Sequence, residues 1–416
     1  MSSMVYWIWL AEKHIAAGRR RELFERFGDP KGIFFAEKSE LTELGFSGEA
    51  LALLLDKDLR GAERIVSRCA EGDITIISMQ DAAYPERLRN IPDPPCVLYI
   101  KGHLPSVDTE AVIAVVGTRK CSPYGAKIAR DMGFEIAAKG GMVCTGLAEG
   151  VDSRAAEGAL MAGGRVIGVL GTAIDEVFPR FNARLFDDVA ATGALVSEYP
   201  PGFPGNKLAF PMRNRIIAGL SLGVVVPEAP IRSGALITAR HALEAGRDVF
   251  ACPANVDSPG GRGSNNLLRE GAIFAENGWD VLREYEDRFP DKISEKGRGN
   301  VPDEMHKPEE NSPDAEKAEA KPLADEPGKG FFKFRIPIRK ARSESSGTPL
   351  KAQLSGLTEN QLKIVSVINK PSMHVDDIID LSALPASTVL SELTMLQIKG
   401  FVIQEAGKRF TLNIKK

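Results

Sequence analysis

The chain predicts an α/β protein: an extended Rossmann-like, doubly wound and mostly parallel sheet, with a small N-terminal helical domain and a C-terminal winged helix. Three observations carry that prediction. Between residues 111 and 251, short apolar runs rich in β-branched residues alternate with helical patterns, which is how parallel βαβ units with both sheet faces covered read. Before residue 72 lie short helical patterns broken by Gly turns. After residue 350 come three helical patterns and a hairpin.

The N-terminal part, residues 1–72, is punctuated by Gly28-Asp29-Pro30 and by Gly45 and Gly48, so it reads as a small helical domain of the SAM or helix-hairpin-helix kind. Its Arg19-Arg20-Arg21 run reads as a solvated helix face. The run Val5–Ala11 is apolar but ends at Glu12, too short to span a bilayer. Residues 73–285 form the Rossmann-like domain. Ile74–Ser78 and Cys96–Ile100 are strands on either side of a proline-stiffened connection. The parallel strands are Ala111–Val116, Met142–Cys144, Val166–Leu170, Leu195–Ser197, Val224–Val226 and Val249–Ala251. The helices between them are Gly125–Lys139, Asp152–Met161, Arg213–Leu220 and Ser233–Ala245. Residues 286–350 are dominated by Lys, Glu, Asp, Pro, Ser and Gly, the composition of a disordered linker. The patch Phe331–Lys340, where aromatics alternate with cations, stands out within it. Residues 351–416 are the winged helix. Thr358 and Gln361 form a capping box, Val375–Leu381 and Ala386–Lys399 are the second and third helices, and Phe401–Gln404 with Arg409–Asn413 make the hairpin. The third helix offers Ser387, Thr388, Ser391, Gln397 and Lys399 but no arginine, which favours a protein-contact or structural role over base reading.

Composition narrows the function classes. The 416 residues suffice for two or three domains, and 43% hydrophobic with 26% charged content is that of a globular protein. Net charge is −3, from 53 Lys+Arg against 56 Asp+Glu, so any nucleic-acid site is a local patch rather than a global field. Five scattered cysteines without CxxC spacing read as reduced thiols, and the expected location is the cytoplasm. The five histidines are scattered too, so no metal site and no cofactor is expected. Asp152, Asp175, Glu198 and Glu228 are separate carboxylates with no paired histidine, so no catalytic set emerges and a non-enzyme is expected.

The stretch Phe210–Ser221 carries the chemistry. Arg213, Asn214 and Arg215 crowd the first turn of the helix expected there, where cations oppose the helix dipole and a bound anion relieves them. Lys207 and Phe210 lie just upstream, and a cation beside a stacking ring suits single-stranded nucleic acid. The alternative for this cluster is that both arginines pair with carboxylates and Phe210 is core. Two strand-end loops add anion-holding groups. Gly117, Thr118 and Arg119 leave the Ala111–Val116 strand ahead of a helix start with free N–H groups, and Ser233 and Gly234 open another helix. Neither loop matches GxGxxG or the P-loop. Asp152, in the loop Thr145–Asp152, reads as a helix N-cap, and Pro259–Asn266 as a flexible turn.

In order, these motifs resemble the DprA/Smf family (DNA processing protein A) from Tyr84 to Ala272. They are Val116-Gly117-Thr118-Arg119, Thr145–Asp152, Asp175 with Phe178-Pro179, Ser197–Gly202, Phe210–Ser221, Ser233–Ala239 and Gly263–Leu267. The resemblance implies single-stranded DNA binding, loading of the recombinase RecA during natural transformation, and a homodimer through the Rossmann domain. It implies that Arg119 and Lys207 hold phosphates, that Phe210 contacts a base and that Arg213 lies in the same pocket. The chain departs from the family's pattern at Glu149, Ala156, Phe178 and Ala254. With Lys207, Arg119, Arg213 and Arg215 each on a phosphate, about four charges would be neutralised, for a single-strand salt slope of about −3. The rival reading is a nucleotide-processing enzyme of the phosphoribohydrolase type, prompted by Pro259-Gly260-Gly261. A third is an interaction scaffold centred on the winged helix.

Overall fold

The computed structural model describes residues 3–297, 357–368, 373–382, 384–398, 401–405 and 409–412. The chain divides into two compact units, Met1–Ser312 and Pro313–Lys416. Most of the expected linker and the whole Phe331–Lys340 patch lie outside the described residues.

The first unit opens with six short helices: α1 (Met4–Glu12), α2 (Ala17–Phe27), α3 (Pro30–Phe35), α4 (Lys38–Glu43), α5 (Gly48–Leu55) and α6 (Arg60–Glu71). The apolar run seen in the sequence is α1, and it is buried from Val5 to Leu10. Trp9 is at its centre, with its Nε1–H donated to the Asp56 carbonyl at 2.8 Å and Phe34 set edge-on to it. These helices share one apolar cluster with Cys96, Val97 and Tyr99 of the adjoining sheet. Arg20 is not solvated as expected. It reaches across to Asp93 and to the Cys96 sulfur.

Nine strands follow: β1 (Thr75–Ser78), β2 (Val97–Gly102), β3 (Val112–Val115), β4 (Met142–Thr145), β5 (Val166–Leu170), β6 (Ala194–Ser197), β7 (Gly223–Val226), β8 (Asp248–Ala251) and β9 (Ile273–Phe274). Their order is β1-β2-β6-β5-β4-β3-β7-β8-β9. From β6 to β9 every pairing is parallel; β1 and β2 are antiparallel additions at one edge. The central strands are apolar throughout because both faces are covered. On β3, Ile113 and Val115 enter one core, and Val112 and Ala114 the other.

The covering helices are α7 (Glu86–Arg89), α8 (Pro123–Ala138), α9 (Val151–Met161), α10 (Ala183–Thr192), α11 (Ala209–Leu220), α12 (Gly234–Glu244), α13 (Arg262–Arg269) and α14 (Gly278–Leu282). Helices α8, α9, α10 and α14 pack on one face, and α7, α11 and α12 on the other. A Cβ on Gly133 of α8 would run into the Ala155 backbone of α9, so glycine there lets the two helices touch.

Three local expectations change. Helix α11 opens at Ala209, not Arg213, because Asn206 accepts from the N–H groups of Leu208 and Ala209 at 2.9 and 3.0 Å and starts the turn. Pro211 therefore sits inside the first turn, where its missing N–H costs nothing. The expected flexible turn at 259–266 is mostly helix α13, clamped by Asn265, whose amide exchanges two hydrogen bonds with the Ala254 backbone. The chain also stays packed beyond residue 286, burying Phe289 and Ile293, with Lys139 Nζ on the Glu295 carbonyl at 2.6 Å.

The second unit has α15 (Glu359–Val367), β10 (Met373–His374), α16 (Val375–Ser382), α17 (Ala386–Ile398), β11 (Val402–Glu405) and β12 (Arg409–Leu412). The sheet order is β10-β12-β11. The Thr358–Gln361 capping box forms, and Ile364, Ile378, Leu393, Leu396 and Phe410 supply a separate core. This is a winged helix.

Candidate nucleic-acid interface

Strand order reverses between β3 and β7, the first leading on to β4 and the second to β8. Loops leaving the C-terminal ends of such strands diverge and leave a crevice. Here that crevice is a cleft of about 670 Å³. One wall is the β3–α8 loop, with Gly117, Thr118 and Arg119. The second is the start of α11, with Lys207, Phe210 and Asn214. The third is the N-terminus of α12, with Arg232, Ser233 and Gly234. The floor holds Asp152 and Arg213. Nine of the ten residues singled out from the sequence meet here; Arg215 does not.

Asp152 holds the loops in register. It is the second residue of α9 rather than its N-cap, which is Gly150. Its two carboxylate oxygens accept from Gly117 N at 3.2 Å and Gly146 N at 3.1 Å, tying two crossover loops together. Burial pushes its carboxyl above the usual aspartate range, against the pull of Arg213 and of the Gly117, Ala148 and Gly146 N–H groups. Gly117 N–H is therefore spent on Asp152, and Thr118 N–H on the Glu228 carbonyl at 2.9 Å. The start of α8 is occupied as well. Ser122 caps Gly125 N at 3.0 Å, and the Glu228 carboxylate takes Ser122 N at 2.8 Å. Much of the backbone cradle expected after β3 is thus satisfied from within, and an anion there is met chiefly by side chains. At the α12 start, Ser233 Oγ accepts from Ala235 N at 3.3 Å, while Gly234 is exposed to the cleft, and its carbonyl is held by Asn214 Nδ2 at 3.2 Å.

The two arginines of α11 part company, and neither is a free phosphate ligand. Since the helix begins four residues earlier than expected, neither sits against the dipole in the first turn. Arg213 is 5% exposed and turned inward, with its Nη1 donating to the carbonyls of Val169 and of Gly146, the latter at 3.0 Å. Burial lowers its pKa from the usual arginine value, with Asp152 opposing. A Cβ on Gly146 would stand 2.5 Å from the Arg213 guanidinium and 2.7 Å from the Asp152 carboxylate, so that position takes only glycine while both stay in place. Arg215 points to the far side of the helix. Its Nε meets Asp93 at 3.1 Å and its Nη2 meets Glu198 at 2.7 Å. Burial disfavours its charge, but Glu198 and Asp93 more than offset this and hold its pKa above the ordinary arginine value. The carboxylate-paired alternative is correct for Arg215. Arg213 is satisfied by carbonyls and stiffens the floor.

What remains available to an anion is Arg119, Lys207 and Arg232. All three are exposed, and none has a carboxylate partner among the described residues. The Arg119 guanidinium lies 5.5 Å over the Phe210 ring, a cation–π contact that holds the cation and the ring together. Phe178, 48% exposed, sets its ring 5.5 Å from that of Phe210. A smaller recess of about 90 Å³ opens beneath, between Arg119, Glu149, Phe178 and Phe210. Arg232 and Phe178 were not among the site residues chosen from the sequence. Arg232 precedes the chosen Ser233, and a cation beside a helix start was the available signal. Phe178 stood in one of the motifs that carry the family resemblance, which was the signal that could have found it. The cleft therefore offers three separate cations at its rim and adjoining aromatic rings, the chemistry that grips a sugar–phosphate chain while leaving its bases to stack. Among the described residues no group of His, Cys, Asp and Glu is placed to hold a metal, and no helix is long and apolar enough to cross a membrane.

Comparison with known proteins agrees with this architecture. A family model described as DNA recombination-mediator protein A matches residues 75–286, and one described as the DprA winged helix domain matches residues 348–408. The DNA processing protein DprA of Bacillus subtilis is 38% identical over 225 residues, covering 54% of this chain and 76% of that protein. Protein Smf of Synechocystis is 30% identical over 418 residues, 98% of each chain. The X-ray structure of DprA from Streptococcus pneumoniae is similar with a TM-score of 0.59 at 33% identity, over 68% of this chain and 98% of that one. The chain belongs to the DNA recombination-mediator protein A family, DprA/Smf.

Proposed function

We propose that this protein is a non-enzymatic DNA chaperone that holds single-stranded DNA in the switch-point cleft and delivers it to a recombinase, RecA, as in natural transformation. One observation carries the reading: Arg119, Lys207 and Arg232 stand unpaired around the rim of one cleft, beside the rings of Phe210 and Phe178. Three cations at three points contact successive phosphates, and the rings accept bases of any sequence because every base has a π-face. With Arg213 and Arg215 satisfied internally, about three phosphates are neutralised, and the expected single-strand salt slope falls to about −2. The recombinase step and a homodimer through the Rossmann-like unit draw their support from family membership.

The test is a gel-shift titration with single- and double-stranded oligonucleotides at two salt concentrations, on the full chain and on Arg119→Ala and Lys207→Ala. Each substitution is expected to weaken single-strand binding uniformly across sequences. Unchanged affinity in both variants overturns the site. Release of free base from a nucleoside monophosphate would replace the reading with the phosphoribohydrolase one.

A further inference from the structure

The N-terminal helices are tied to the cleft at two points, both on the stretch that carries Lys207 and Phe210. The first is a chain of alternating charges. Arg20 of α2 pairs with Asp93, Asp93 pairs with Arg215 of α11 at 3.1 Å, and Arg215 pairs with Glu198 at the end of β6 at 2.7 Å. Arg20 and Arg215 are both largely buried, while Asp93 and Glu198 are partly exposed, so the chain runs along the wall of a pocket between α2 and α11. The second tie is Arg68 of α6, which meets Asp175 at 3.2 Å. The same Asp175 accepts from Gly202 N at 2.9 Å. Gly202 has φ +73°, and a Cβ there would strike the Arg68 guanidinium. Between these ties the loop from Glu198 to Leu208 is stiffened by Tyr199 and Phe203, stacked 4.4 Å apart, and it carries the exposed Lys207 near its end.

The segment is thus held at its start through Glu198, in its middle through Gly202, and beyond its end through Arg215. In two of the three places the far partner belongs to the N-terminal helices. Opposite faces of α11 serve the two purposes: Phe210 and Asn214 face the cleft, and Arg215 faces the charge chain.

We propose that the N-terminal helices are a brace for the cleft, in which Arg20 and Arg68 are positioning residues that set where Lys207 and Phe210 stand. The proposal rests on the DNA reading of the cleft. Neither arginine touches the cleft, so each acts through the loop and helix it holds, as energetic coupling through a contiguous network requires.

The experiment is a double-mutant cycle on the full chain, read as single-strand affinity alongside melting temperature. Arg68→Ala is expected to weaken binding about three- to ten-fold, within the lower part of the range for residues coupled in one network. Its melting temperature stays near that of the parent, because an exposed ion pair contributes little stability. In a Lys207→Ala background the same substitution is expected to have a smaller effect, since only its share through Phe210 remains. Arg68→Lys, which keeps the cation, is expected to restore binding. Arg20→Ala should give a larger loss, and where it compromises folding, the exposed Arg68 carries the test. Weakened binding by Lys207→Ala together with unchanged binding by Arg68→Ala overturns the brace and leaves the cleft reading in place. Effects of Arg68→Ala and Lys207→Ala that simply add also overturn it. No effect of either Lys207→Ala or Arg119→Ala overturns the cleft reading and the brace with it, and no effect of Lys207→Ala alone overturns the brace.

Discussion

At the N-terminal edge of the sheet, Arg87 donates to the carbonyls of Glu110 and Asp108 at 2.9 and 3.2 Å, and Arg247 donates to the Arg87 carbonyl at 3.1 Å. The Glu110 carboxylate there takes both Arg165 and Lys292 at 3.1 Å. At the C-terminal edge of the same sheet, Arg119, Lys207 and Arg232 line a cleft and are paired with no carboxylate among the described residues. The two edges are alike in residue type and differ in pairing. A cation already matched with a carboxylate or a carbonyl has little left to give a phosphate, while an unmatched one at the rim of a concave surface releases counterions when a strand arrives. The same contrast recurs around helix α11, since Arg215 on it is engaged by Asp93 and Glu198 while Lys207 just ahead of it lines the cleft. Net charge therefore says little about where this protein can hold DNA.

The contrast can be broken at four points, taken from the largest effect to the smallest. Arg215→Ala leaves Glu198 and Asp93 facing an empty buried position, which is expected to cost about 3–5 kcal/mol of stability in urea unfolding. A smaller loss would mean that the paired arginine is solvated after all. Lys207→Ala or Arg119→Ala removes an unpaired rim cation. About ten-fold weaker single-strand binding is expected, worth ~1.4 kcal/mol, with stability within about 0.5 kcal/mol of the parent. Each of these variants should also flatten the salt dependence by about 0.7 in log K against log salt, one phosphate's share. Arg232→Ala should do the same, and a slope unchanged by it would remove Arg232 from the site. Arg165→Ala, at the paired edge, is expected to change stability by less than about 0.5 kcal/mol because that arginine is partly exposed. It should leave single-strand affinity as it was. If it weakens binding like Lys207→Ala, the distinction between the two edges fails.

The alternation of strands and helices was legible in the chain alone, because apolar runs four or five residues long have few ways to be buried other than in a doubly covered parallel sheet. The loops at the strand ends were legible in the same way, and they include Gly117–Arg119, Lys207–Asn214 and Ser233–Gly234. Two sequence features misled. The helix expected from Arg213 opens at Ala209 with Pro211 inside its first turn, which moved Arg213 and Arg215 away from the helix start. The arginine run at 19–21 looked solvated, yet Arg20 is paired with Asp93, 73 residues away. Pairing of that kind belongs to the tertiary structure alone. Whether a guanidinium is free, and which way a side chain on a helix faces, depends on groups remote in the chain that only folding brings within hydrogen-bond reach. That is why the sequence assembled the right loops, and why only the folded chain could separate Arg119 and Lys207, which stand free, from Arg213 and Arg215, which do not.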